Sequence, residues 1–142
     1  MSKRRPLIYL RASHGGRQVA QEQEFEVRRM LAASGIDSRS MHVSCDIDSP
    51  GECIGPALLA LLEEAVYGQL QTVIVRDVGR LGCEHAILVS VLGALADAGV
   101  EVVVAEVLNQ DAEGRARLRR QVCQDPSPPR LMLGWGSREE RV

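Results

Sequence analysis

The sequence predicts an α/β fold: a mostly parallel central sheet of about four or five strands with helices on both faces, in three layers. Three observations carry this expectation. Short apolar runs, Leu7-Ile8-Tyr9-Leu10, Val73-Ile74-Val75 and Val102-Val103-Val104, alternate with segments of helical length. Gly35, Gly68 and Gly99 punctuate the ends of those segments, where helices stop. The balance of 45% hydrophobic to 25% charged residues is that of an ordinary globular domain, and with only 3% aromatics its core must be built from Leu, Val, Ile and Ala.

The first apolar run, after Lys3-Arg4-Arg5 and Pro6, reads as a buried strand broken by Gly15-Gly16. From Gln18 to Ser34, Val19, Phe25, Met30 and Leu31 lie among charged residues and suggest an amphipathic helix. Ser40 to Cys45 is a second strand, and Asp46 to Gly55, rich in Asp, Ser, Pro and Gly, is a loop. Pro56 suits the first turn of a helix that continues through Leu58, Leu61, Leu62 and Val66. Val73 to Val75 is a central strand, Gly79 to Gly82 a loop, and Ala86 to Ala98 a third helix. Val100 to Val107 is the next strand and Ala112 to Cys123 a short basic helix. Pro126, Pro128 and Pro129 mark the domain edge, so residues 1–124 are expected to form the domain and 125–142 a Pro-rich tail.

A chain of 142 residues fits one core. Its formal charge of −2 gives no overall basic signal for nucleic acid, so any DNA contact must come from local clusters. The four cysteines, Cys45, Cys53, Cys83 and Cys123, form no C-x-x-C pair and match no standard metal site. We expect reduced thiols, a cytoplasmic location, no cofactor, no metal and no membrane span.

In parallel sheets, sites form beyond the carboxyl ends of strands, so the loops after Leu10, Cys45, Val75 and Val107 are where chemistry is sought. Along the first strand, alternation puts Tyr9, Arg11 and Ser13 on one side. An arginine two residues from a serine can hold a phosphate against the hydroxyl, because its planar fork matches phosphate geometry. The glycines and the helix start that follow add N–H donors and a positive dipole end. Such a loop can also be an ordinary strand end with a solvated serine.

The order of motifs adds a second line of argument. Tyr9-x-Arg11-x-Ser13 is followed by Gln18 and Gln23, then Asp46, then Ser49-Pro50-Gly51, then Gly55-Pro56-Ala57-Leu58 and a helix. After the strand come Gly79-Arg80-Leu81-Gly82-Cys83, a helix and Gly99-Val100-Glu101-Val102. From about Leu7 to Val107 this resembles the catalytic domain of the serine recombinases, the resolvase/invertase family. The resemblance implies a resolvase-like fold and a nucleophile at Ser13 that attacks a DNA phosphodiester. It implies phosphate-binding arginines at Arg11 and Arg80, with Tyr9 and Gln18 in the same site. It also implies work within an oligomer on DNA.

Three positions depart from the family pattern. Gly55 stands where it has arginine before proline, Gly79 where it has aspartate, and Cys83 where it has a last arginine. An arginine on a transferring phosphoryl group is worth about 10³–10⁵ in rate in other enzymes. The expectation is therefore impaired or absent cleavage, unless Arg17, Arg76 or Asp77 substitutes. The family continues into a long helix and a DNA-binding domain; here Arg115, Arg117, Arg119 and Arg120 on the last helix are the remaining cluster. Arg115 and Arg119 are its candidate phosphate contacts, with a solvated helix face as the other reading. DNA binding by the chain alone is expected to be weak.

Three functions follow. The first is a binding or regulatory module that pairs with an active recombinase, binds another protein or holds a nucleic-acid end, as a homo-oligomer or with a DNA-binding partner. The second is a working recombinase acting through Ser13. The third is a small phosphate- or nucleotide-binding protein, although P-loop spacing is missing.

Overall fold

The computed structural model describes residues 5–12, 16–47, 54–81 and 84–124. Four strands, β1 (Arg5–Ala12), β2 (His42–Ile47), β3 (Leu70–Val75) and β4 (Glu101–Val104), form one sheet in the order β2-β1-β3-β4. All three pairings are parallel. Four helices join or follow them: α1 (Gly16–Ala33), α2 (Pro56–Val66), α3 (His85–Asp97) and α4 (Ala112–Gln124). Short 3-10 segments occupy Val78–Leu81 and Ala105–Gln110.

Alternation along β1 divides the core. Ile8, Leu10 and Ala12 pack with Ala20, Val27 and Leu31 of α1, Leu108, and Leu118 of α4. Leu7 and Tyr9 pack on the opposite face with Leu58 and Leu61 of α2 and Val91 and Leu95 of α3. Helices therefore cover both faces, as the strand–helix alternation predicted.

Helix ends follow the glycines. After α1, Gly35 takes a φ of +78°, its N–H donates to the Ala32 carbonyl, and the Ile36 N–H donates to the Leu31 carbonyl. This bond pair is a Schellman closure, and buried Ile36 and Leu31 pack beside it. Gly68 and Gly99 close α2 and α3 in the same way.

Several boundaries differ from the sequence expectation. Asp46 is the penultimate residue of β2, not the start of a loop, because its register partner Arg11 extends the ladder that far. The last strand ends at Val104 rather than Val107. Beyond it, Ala105 and Leu108 turn inward while Glu106, Val107, Asn109 and Gln110 face solvent, a spacing of three that suits a 3-10 turn. Gly79 to Leu81, expected as loop, lies in the other 3-10 turn. Phe25 is 70% exposed, since the buried stripe of α1 runs through Ala20, Gln23, Glu24, Val27 and Leu31. The tail 125–142 lies outside the described residues.

Candidate active site

The chain leaves β1 to reach β2 on one side and later crosses back to β3 on the other. The carboxyl ends of β1 and β3 are therefore the switch point of the sheet, where open α/β folds place ligands. The pairing of β1 with β3 ends at Ile8↔Ile74, while its pairing with β2 runs on to Ala12↔Ile47. Past Ile8, the β1 backbone needs other partners on the β3 side. Gln23 of α1 supplies one: its Nε2 donates to the Arg11 carbonyl at 2.8 Å, and the Arg11 N–H faces its Oε1 at 3.4 Å. The side-chain amide thus extends the sheet by one residue and fixes Arg11, itself only 8% exposed.

Next to Arg11 lies a buried carboxylate. Asp46, 2% exposed, accepts the Tyr9 hydroxyl at 2.7 Å on Oδ2. Its Oδ1 accepts the Ala57 N–H at 2.8 Å, and its Oδ2 the Leu58 N–H at 2.9 Å. Asp46 is thus the N-terminal cap of α2, delivered from a neighbouring strand, because the residue at the cap position, Gly55, has no side chain to offer. Three donors and the helix dipole offset the cost of burying the charge. Burial, together with the Asp46 carboxylate beside it, pushes the Tyr9 phenol far up, so Tyr9 is a fixed donor and not a proton carrier.

The glycine is required by this cap. A Cβ on Gly55 would stand 2.4 Å from Asp46 Cγ and 2.5 and 2.6 Å from its two oxygens. Where the resembled motif carries an arginine, this chain has a carboxylate occupying the space from which any side chain would project.

On the β3 side, Arg80 sits in the turn Val78–Leu81 with Nε 3.4 Å from Asp77 Oδ2. Arg76 Nε lies 3.0 Å from Glu26 Oε1 of α1, and the Arg76 carbonyl accepts the Glu106 N–H at 3.3 Å. Tyr9, Arg11, Asp46 and Arg80 therefore belong to the same edge of the sheet. Gln18, on an exposed turn of α1, makes no such contact with Arg11; the bonded glutamine is Gln23. Its signal in the sequence was a glutamine on the buried stripe of α1, between Ala20 and Val27. Ser13, Cys53, Cys83 and the Ser49-Pro50-Gly51 segment lie outside the described residues.

Arg115 and Arg119 are placed elsewhere. Arg119 Nη2 donates to the Ser34 carbonyl at 3.1 Å, at the end of α1 where the chain returns to the amino edge of the sheet. Arg115 Nη1 donates to the carbonyls of Leu108 and Asn109. Arg117 pairs with Glu101 at 2.7 Å. These three guanidiniums bind the chain's own carbonyls and carboxylate, and the fold does not bring Arg119 to Arg11. Among the described residues, no helix is long and apolar enough to cross a membrane.

No protein-family model matches the sequence, and no curated protein matches it. Solved structures do match. The C-terminal catalytic domain of ISC1926 TnpA, an IS607-like serine recombinase, superposes with a TM-score of 0.59 at 20% identity, over 71% of this chain and 67% of that one. A serine recombinase from Sulfolobus solfataricus gives 0.59 at 16% identity, over 86% of this chain and 98% of that one. The N-terminal catalytic domain of TP901-1 integrase gives 0.57 at 17% identity, over 87% and 95%. The chain has the fold of serine-recombinase catalytic domains.

Proposed function

We propose that this chain is a recombination-related module that holds a DNA phosphate at the carboxyl edge of its sheet but is impaired in cutting the strand. The shared fold supports the link to DNA recombination. The observation that carries the impairment is the Asp46–Gly55 cap. At the place of an expected phosphate-binding arginine there is a glycine whose Cβ position lies 2.4 Å from a buried carboxyl carbon. Glycine supplies no cation at 55, and no side chain fits there while the Asp46 cap stands. Arg11 and Arg80 remain as two phosphate contacts, enough for weak binding with a salt slope of about −2. The module acts within a larger assembly, with copies of itself or with a recombinase that supplies cleavage.

One observation favours the second reading, a working recombinase. The Arg11 backbone is clasped by Gln23 at the switch point, which fixes the strand end from which its side chain would meet a phosphate.

The two are separated by incubating the chain and Ser13→Ala with nicked duplexes from the DNA flanking its gene, on denaturing and native gels. The module reading expects no covalent adduct and a shifted native band that fades with salt. An adduct that disappears in Ser13→Ala refutes it and establishes the recombinase.

A further inference from the structure

The turn after β3 places an acid against Arg80. The Arg80 N–H donates to the Asp77 carbonyl at 3.2 Å, which closes the turn. The closure carries the Asp77 carboxylate back over it. Oδ2 then lies 3.4 Å from Arg80 Nε, and Oδ1 lies 3.2 Å from the point where a Cβ on Gly79 would stand. Arg80 Nε is buried and has no hydrogen-bond partner among the described residues. Asp77 is therefore the counter-charge that the inner edge of this guanidinium faces. The Arg80 and Asp77 side chains are 27% and 35% exposed, so the pair sits at the rim of the site rather than in the core.

We propose that Asp77 is the positioning residue for Arg80: it holds the guanidinium at Nε and leaves the Nη groups for a DNA phosphate. The acid missing at position 79 is supplied from position 77, whose carboxylate lies against the space a side chain at 79 would enter. The proposal rests on the reading of this edge as a phosphate-binding site. It differs in sign from simple electrostatics. An acid that only dilutes positive charge weakens DNA binding, so its removal tightens the complex. An acid that orients the arginine strengthens binding, so its removal loosens the complex.

The test measures affinity of the full chain for a short mixed-sequence duplex by fluorescence anisotropy at several salt concentrations. The variants are Arg80→Gln, Asp77→Asn, the two together, and Asp77→Asn with Gly79→Asp. Melting curves check that each folds. Arg80→Gln is expected to weaken binding and reduce the salt slope by about one. Asp77→Asn is expected to weaken binding by about two- to fivefold, the scale of a part-exposed ion pair. It adds nothing in the Arg80→Gln background, and Gly79→Asp recovers the loss. If Asp77→Asn tightens binding or leaves it unchanged while Arg80→Gln weakens it, the role of Asp77 is overturned and the phosphate site stands. The same holds if the two losses simply add, or if Gly79→Asp recovers nothing. If Arg80→Gln leaves affinity unchanged, the phosphate reading falls and the proposal with it.

Discussion

Replacing Gly55 with alanine tests the cap that shapes this site. The backbone at Gly55 is extended, with φ −89° and ψ 173°, so alanine meets no conformational obstacle there. The whole effect must come from contact. The new Cβ would stand 2.4 Å from Asp46 Cγ, at a carboxylate held by three hydrogen bonds, so the carboxylate must leave. Losing a helix cap costs about 0.5–2 kcal/mol. A buried Tyr9 hydroxyl left without its acceptor costs about 1–3 kcal/mol more. We expect Gly55→Ala to destabilise the chain by about 3 kcal/mol, which for a domain of this size lowers Tm by roughly 10 °C. Urea unfolding with an unchanged m-value measures it. The decisive control is Asp46→Ala, which removes the carboxylate and leaves room for a Cβ at 55. In that background Gly55→Ala should cost less than about 0.5 kcal/mol, so the two substitutions are strongly non-additive. A neutral Gly55→Ala, or additive losses, would refute the steric argument and with it the claim that an arginine cannot be restored at 55.

Three further outcomes follow from the same geometry. Gln23→Ala should cost about 2 kcal/mol, since it strands the buried Arg11 carbonyl and N–H, whereas Gln18→Ala on the exposed turn should stay within about 0.5 kcal/mol in denaturant titrations. Tyr9 keeps its proton in the folded chain above its ordinary value of 10.0, because burial and Asp46 oppose its ionisation. The unfolded chain ionises there, so this stability is present below pH 10 and is lost as pH rises beyond it; Tm should fall in that range, and less so in Tyr9→Phe. Tyrosinate absorbance in a Tyr67→Phe background should show Tyr9 ionising only with unfolding. Arg119→Ala should cost about 1 kcal/mol by freeing the Ser34 carbonyl at the end of α1, read by calorimetry, with little change in DNA affinity.

The architecture was legible in the sequence. Alternating apolar runs and amphipathic segments force a sheet covered on both faces, because each face of a strand such as Leu7 to Leu10 must be buried. The glycines at 35, 68 and 99 marked the helix ends, because only a residue without Cβ enters positive φ at no steric cost. Ordered motifs also brought Tyr9, Arg11 and Arg80 to notice. The tertiary structure alone decided what these residues and their neighbours do to one another. That Asp46 caps α2 from a strand depends on the register Arg11↔Asp46 and on helix N–H groups eleven and twelve residues later, a meeting in space that no local pattern encodes. Gln18 and Gln23 look equivalent in sequence, yet only Gln23 falls on the buried stripe where the β1 backbone loses its partner on β3. The arginines of α4 read as a basic cluster along the chain, but helix ends and Glu101 claim three of them once the segment docks. Periodicity reports which face of an element is apolar. It carries no information on which polar group from a distant element arrives to satisfy a buried donor or acceptor, and that pairing is what shapes this site.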